Sequence, residues 1–241
     1  MVGVVVSNRY LSEEVLEPTL NPRVKVCCIR DIAEARLALR FGADALGLVS
    51  QMPSGPGVIE EAVIAEIASI TPPSIGSFLL TSELDVNSIV TQQRRCRVNT
   101  IQIVDRLERG SFEDLRGALP GVSIVQVIHI TGDESIDEAC RVAELGIDAL
   151  LLDSGNQRLP VKVLGGTGRT HDWTLSRKIR ELVSVPLFLA GGLKVENVAR
   201  AIEEVRPFGV DVCSGLRTNG ELDALRLAEF IHEVRRVSQS R

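Results

Sequence analysis

The sequence predicts a single (β/α)8 TIM barrel, an α/β fold, and three observations carry that prediction. Eight short apolar or β-branched runs alternate with longer segments of helical period, the 241 residues suit one such barrel, and no linker rich in Gly, Ser or Pro divides the chain. Eight regular units fit a closed barrel better than an open doubly wound sheet, which rarely needs so many.

The strand candidates are residues 24–29, 45–49, 75–80, 100–104, 123–130, 149–152, 186–189 and 209–212. Between them, segments such as 31–41, 60–70, 85–95, 134–145 and 195–205 place apolar residues at helical spacing, with a good starting residue nearby. Residues 1–22 stand outside this count as an N-terminal extension, and the barrel takes 23–241. In the extension, 2–6 reads as a short strand and 12–16 as a helical turn. It serves as a cover on the barrel bottom or a flexible arm, with a partner-binding arm as the sharper alternative. One internal echo, Phe41-Gly-Ala-Asp-Ala-Leu-Gly-Leu-Val-Ser50 against Leu145-Gly-Ile-Asp-Ala-Leu-Leu-Leu-Asp-Ser154, falls about four units apart. It reads equally as a half-barrel repeat or as the residues any helix end, Gly turn and strand start demand.

Composition narrows the function. Hydrophobic residues at 44% and charged residues at 24% can fill a core, and the net charge of −5 without a basic run argues against a nucleic-acid partner. The two longest uncharged runs, 67–82 and 117–132, contain Pro72, Pro73 and Pro120 and are too short to span a bilayer. The apolar stretch before Arg9 is too short for a secretory signal, so a cytoplasmic protein is expected. Five cysteines without C-x-x-C spacing and three histidines give no framework for disulfides or structural zinc, and no metal is expected.

Active sites of such barrels form at the C-terminal ends of the strands, and this sorts the polar residues. Asp44 and Asp148 precede their strands and read as turn caps at the bottom. Cys27 and Cys28 end the first strand, Ser50 follows the second, Asp153 ends the sixth, and Asp211 to Ser214 lie in and after the eighth. Period-two alternation lets only one of Cys27 and Cys28 point into the barrel. Glycine clusters follow the last three strands: Gly165-Gly-Thr-Gly168, Ala190-Gly-Gly192 and Ser214-Gly215. Glycine lets several backbone N–H groups converge on one anion, so Gly166, Thr167, Gly168, Gly191, Gly192, Ser214 and Gly215 are expected to hold the phosphate of a small phosphorylated sugar. A carboxylate and a thiol across the mouth could form an acid and base pair, although spacing alone leaves Cys27 readable as a small core residue. His129, His171 and Trp173 have ordinary structural explanations and take no catalytic role.

At these residues the chain resembles phosphoribosylanthranilate isomerase. Lys25-Val-Cys-Cys-Ile29 matches that family's K-[IV]-C-G-[IL], and Gly42-Ala-Asp-Ala-Leu-Gly-Leu-Val49 matches G-A-D-A-[LI]-G-F-[VI]. Leu151-Leu-Asp-Ser154, Gly165-Gly-Thr-Gly168 and Asp172-Trp173 match L-L-D-S…G-G-T-G-x-x-[FH]-[DN]-W, and Gly209-Val-Asp-Val-Cys-Ser-Gly215 matches G-V-D-V-S-S-G. The resemblance covers 24–231 and implies a cofactor-independent isomerase of tryptophan biosynthesis. Its reaction would be the Amadori rearrangement of N-(5′-phosphoribosyl)anthranilate to 1-(2-carboxyphenylamino)-1-deoxyribulose 5-phosphate. By the same resemblance Asp153 is the general acid, Cys27 the general base, and Asp211 orients the substrate.

Several positions depart from the family pattern. Cys28 replaces a Gly, Pro56 stands where an Arg supports substrate binding, Val104 replaces the His of Q-L-H-G, and Arg217 replaces a Glu. An Arg fork suits a carboxylate, so Arg30 and Arg217 are candidates to supply the missing guanidinium, with Gln102 as a further substrate contact. The altered half keeps two other readings open, a related barrel acting on another phosphosugar and a non-catalytic phosphate-ligand binder. Either a monomer or a homodimer is compatible with the sequence.

Overall fold

The computed structural model describes residues 21–155, 168 and 170–239. The strand at 2–6, the turn at 12–16, Gly166 and Thr167 lie outside the described residues. Eight parallel strands close on themselves in the order β1 to β8: β1 (Arg23–Val26), β2 (Ala45–Val49), β3 (Gly76–Thr81), β4 (Thr100–Ile103), β5 (Ser123–His129), β6 (Ala149–Asp153), β7 (Leu187–Leu189) and β8 (Gly209–Val212). Helices α1 (Ile32–Phe41), α2 (Glu61–Ile70), α3 (Val86–Cys96), α4 (Phe112–Ala118), α5 (Glu134–Ala143), α6 (Trp173–Leu182), α7 (Val195–Val205) and α8 (Ala224–Gln239) ring the barrel. After β8 come a single 3₁₀ turn (Ser214–Leu216) and a small hairpin, β9 (Arg217–Thr218) with β10 (Glu221–Leu222). The sequence expectation of a (β/α)8 barrel is borne out. No helix among the described residues is long and apolar enough to cross a membrane.

Local chemistry explains where the elements begin. Asp31, Asp85 and Ser111 each accept a backbone N–H from three residues on, capping α1, α3 and α4. At the barrel bottom, Asp44 Oδ2 accepts from Val24 N at 2.9 Å and Asp148 Oδ2 accepts from Ile124 N at 2.7 Å. Both aspartates are the expected bottom caps. They perform the same task one half-barrel apart, which is the structural content of the internal echo.

Strand alternation sorts the core into two shells. Val24, Val26, Leu46, Leu48, Leu79, Ile101, Ile103, Leu150 and Leu152 face the helices, while Ala45, Val49, Phe78, Leu80, Val125, Val127, Leu151 and Phe188 fill the barrel. The inner shell also holds a charge. Lys25, opposite Asp211 in the β1–β8 register, is fully buried and donates to Asp211 Oδ1 at 2.9 Å, with its ammonium 5.2 Å from the Phe78 ring centroid.

Gly47 makes room for this arrangement. A Cβ built there would lie 2.7 Å from Cys27 Sγ and 3.0 Å from both Cys27 Cα and Lys25 Nζ. Gly47→Ala overpacks the centre of the barrel and should cost about 1–3 kcal/mol. Denaturant unfolding is expected to show a lowered midpoint at unchanged slope, and an unchanged midpoint would refute this account of Gly47.

Candidate active site

The mouth of the barrel opens into a cavity of about 700 Å³, its solvent-filled opening included. The thiol of Cys27 reaches it from β1 and Asp153 from β6, while Asp211 rises from β8 at its floor. Gln102 enters from β4, with its Oε1 buried and without a hydrogen-bond partner. Gly168, Gly191, Gly192 and Ser214 contribute the wall formed by the loops after β6, β7 and β8. Gly215 lies just behind, where a Cβ would come within 2.1 Å of the Leu193 carbonyl oxygen, so glycine is what lets these two loops touch.

Met52, Ser54, Gly55 and Pro56, from the loop after β2, complete the opposite wall. Among the described residues, no arginine or lysine side chain lines the cavity.

The electrostatics follow from burial. Desolvation raises the Asp153 carboxyl above the usual carboxylate range, and the nearby charge of Asp211 adds to that rise. The Ser154 N–H at 2.7 Å, His129 and Lys25 act in the other direction. His129 sits opposite Asp153 in the β5–β6 register, with its Nε2 2.9 Å from the Val104 carbonyl oxygen. Burial alone would lower the pKa of the Lys25 ammonium, but the charge and hydrogen bond of Asp211 more than reverse this, and the ammonium is held charged. Lys25 is a site residue that sequence reasoning missed. The available signal was its inward parity, two residues before Cys27 on one strand face.

The alternation expected at Cys27 and Cys28 fails. Both belong to the inner cluster and both line the cavity, because β1 ends at Val26 and Cys28 turns to a φ of 60°. This is the left-handed region that glycine enters freely and a side chain enters at a cost of about 1–2 kcal/mol. Gly57 packs directly on it, its ideal Cβ lying 2.5 Å from that of Cys28.

Neither Arg30 nor Arg217 reaches the cavity. Arg217 forms a two-pronged pair with Glu34, at 2.8 Å and 2.9 Å, and also donates to the Cys28 carbonyl. Arg30 bonds the same carboxylate at 3.1 Å, on the outer side of the β1–α1 turn. The expectation that they replace the family arginine is corrected by Glu34, which stands four residues after Arg30 on α1 and claims both guanidiniums. Pro56 lines the cavity as an exposed residue, and Val104 is buried in the inner cluster of the barrel.

With this geometry in place, comparison with known proteins is decisive. The model of the N-(5′-phosphoribosyl)anthranilate isomerase family matches residues 24–233. The chain belongs to the phosphoribosylanthranilate isomerase family. It is 35% identical over 215 residues to N-(5′-phosphoribosyl)anthranilate isomerase 2 of Methanosarcina mazei, covering 88% of this chain and 94% of the relative. The isomerase of Methanocella arvoryzae is also 35% identical, over 88% of this chain and 98% of its own. Among solved structures, the Thermotoga maritima enzyme superposes with a TM-score of 0.72 at 27% identity, over 89% of this chain and 98% of that one. A phosphoribosylanthranilate isomerase solved with reduced 1-(o-carboxyphenylamino)-1-deoxyribulose 5-phosphate gives a TM-score of 0.70 at 25% identity, again over 89% and 98%.

The Glu34 hub yields two expectations. Desolvation would raise the Glu34 carboxyl, but the Arg217 fork and the Arg30 and Leu222 amides hold it at about 2. Since that lies below the ordinary 4.5, the stability Glu34 supplies is complete above pH 4.5 and is lost as the pH falls toward about 2. Glu34→Gln should therefore destabilise the protein by about 1–3 kcal/mol at neutral pH, and thermal melts should show the gap to wild type closing across that window. In parallel, Arg30→Ala should leave the Michaelis constant within about twofold of wild type, since a half-exposed guanidinium outside the cavity contributes little to binding. A sharply raised constant would return Arg30 to the substrate site.

Proposed function

We propose that this protein is an N-(5′-phosphoribosyl)anthranilate isomerase. The observation that carries the reading is the convergence, in a chain of this family, of Cys27 and Asp153 on one cavity with one wall built from glycine-rich loops. Asp153, whose burial shifts its carboxyl toward the protonated form, donates a proton to the ribose ring oxygen as the C1′–O bond breaks, leaving an iminium. The Cys27 thiolate takes the C2′ proton, the electron pair forms the enolamine, and tautomerisation gives the ketose. Asp211, pinned by Lys25, orients the sugar hydroxyls. The unpartnered Gln102 Oε1 accepts a hydrogen bond from the substrate. Gly168, Gly191, Gly192 and Ser214 line the phosphate end, with Gly215 shaping it and Gly166 and Thr167 completing the motif.

The cavity is apolar on the side of Val49, Met52, Pro56, Leu80 and Val127, and polar on the side of β6 to β8. That asymmetry favours a phosphosugar carrying an aryl group over a bare phosphosugar, and it supports the isomerase reading against the divergent-barrel alternative. We place the enzyme in the cytoplasm, in keeping with its five free thiols.

The test follows the loss of anthranilate fluorescence as substrate generated in situ meets the purified protein. Cys27→Ala and Asp153→Asn should each lower kcat by about a hundredfold to ten-thousandfold while the fold is retained. Full turnover in either variant would remove that residue from the mechanism. No turnover in the wild type, with ribose-phosphate binding intact, would favour the binder.

A further inference from the structure

Two of the positions where this chain departs from its family touch each other. Cys28 stands at the family's glycine and Cys213 at the first serine of G-V-D-V-S-S-G, and their sulfurs lie 2.7 Å apart, well inside van der Waals contact. The β1–β8 ladder brings them together. Cys27 N donates to Val212 O at 2.8 Å one step beyond the last paired residues, and the left-handed turn at Cys28 swings its side chain toward Cys213. Cys213 is half-buried on the cavity wall, so small solutes that enter the active site meet it.

We propose that Cys28 and Cys213 form a reversible disulfide at the active-site mouth, made by a peroxide or a small-molecule disulfide and undone by a dithiol. With hydrogen peroxide, the Cys213 thiolate attacks one oxygen, the O–O bond breaks, and water leaves after proton uptake, giving a sulfenic acid. The Cys28 sulfur then attacks the Cys213 sulfur, the S–O bond breaks, and a second water is released. Two thiols are oxidised and one peroxide is reduced. The surroundings assign the roles: the hydrogen bond shared with Cys28 and the charge of the Arg217 guanidinium shift Cys213 toward the thiolate, whereas the same hydrogen bond and burial hold Cys28 as the thiol. Cys96, fully buried and pushed up to about 12, is inert by the same criteria.

A bond between these sulfurs joins the residue after Cys27 to the residue before Ser214. It therefore draws together the proposed base and the phosphate loop. The functional arm rests on the proposed isomerase site, but the cross-link is read chemically, so the two fail separately.

The full chain is treated with hydrogen peroxide, alkylated under denaturing conditions and mapped by mass spectrometry. A peptide pair joined through Cys28 and Cys213, with Cys96 and Cys140 still alkylatable, is the expected result. Isomerase activity should fall by about a hundredfold on oxidation, the scale of misplacing a catalytic group, and return with dithiothreitol. Cys213→Ser, compared with its own untreated activity, should resist the loss, and Cys28→Gly should do the same. A Cys27–Cys28 bond in the wild-type map overturns the proposal, as does full alkylation of Cys28 and Cys213 after oxidation. So does equal inactivation of Cys213→Ser. Because the map uses wild-type protein, poor folding of a variant leaves the decision intact.

Discussion

The buried pair of Lys25 and Asp211 is the constraint around which the barrel mouth is arranged. An ammonium with no exposure at all survives only beside a carboxylate, and removing one partner of such a pair costs about 3–5 kcal/mol because the other is left uncompensated. The pair fixes the closing seam between β1 and β8. It also makes Gly47 necessary on the neighbouring strand and places a positive charge directly beneath Cys27. Any thiolate formed at Cys27 therefore faces a fixed cation, while Asp153 across the cavity feels both Asp211 and Lys25. One ion pair thus sets the electrostatic background for the proposed base on one wall and the proposed acid on the other.

The Glu34 cluster does for the outer side of this seam what Lys25 does for the inner side. By binding Arg30, Arg217 and the Leu222 amide, Glu34 ties α1 to the β9–β10 hairpin, and Arg217 carries the tie to the Cys28 carbonyl. The chain after β1 is consequently held from two directions, which explains how Cys28 keeps a backbone conformation unfavourable to a side chain.

Much of this was legible in the sequence, for identifiable reasons. Strand and helix periods are local, so the eight units could be read without tertiary information, and a residue's place along a strand fixed which end of the barrel it occupies. Asp44, Asp148, Asp153 and Asp211 were sorted correctly on that basis. Alternation failed at Cys28 because it holds only while the chain stays extended, and nothing in Val-Cys-Cys-Ile announces a left-handed residue unless the family glycine is taken as its marker. Arg30 and Arg217 were misplaced because guanidiniums go to the nearest carboxylate able to hold them. That carboxylate, Glu34, belongs to no motif.

The departures from the family pattern are better understood together than singly. Replacing a glycine by Cys28 adds a side chain to the cavity, and the loop after β2 answers with Gly57 against its Cβ and Pro56 on the wall. Replacing a serine by Cys213 gives that thiol a partner, and Arg217 then supplies a donor to the Cys28 carbonyl and a positive charge near both sulfurs. Each change makes sense given the others, since an isolated Cys28 would be a strained and unpartnered thiol. The loss of the family arginine at Pro56 thus belongs to a rebuilt corner spanning the loops after β1, β2 and β8, which leaves Asp153 on β6 and its flanking glycine loops untouched.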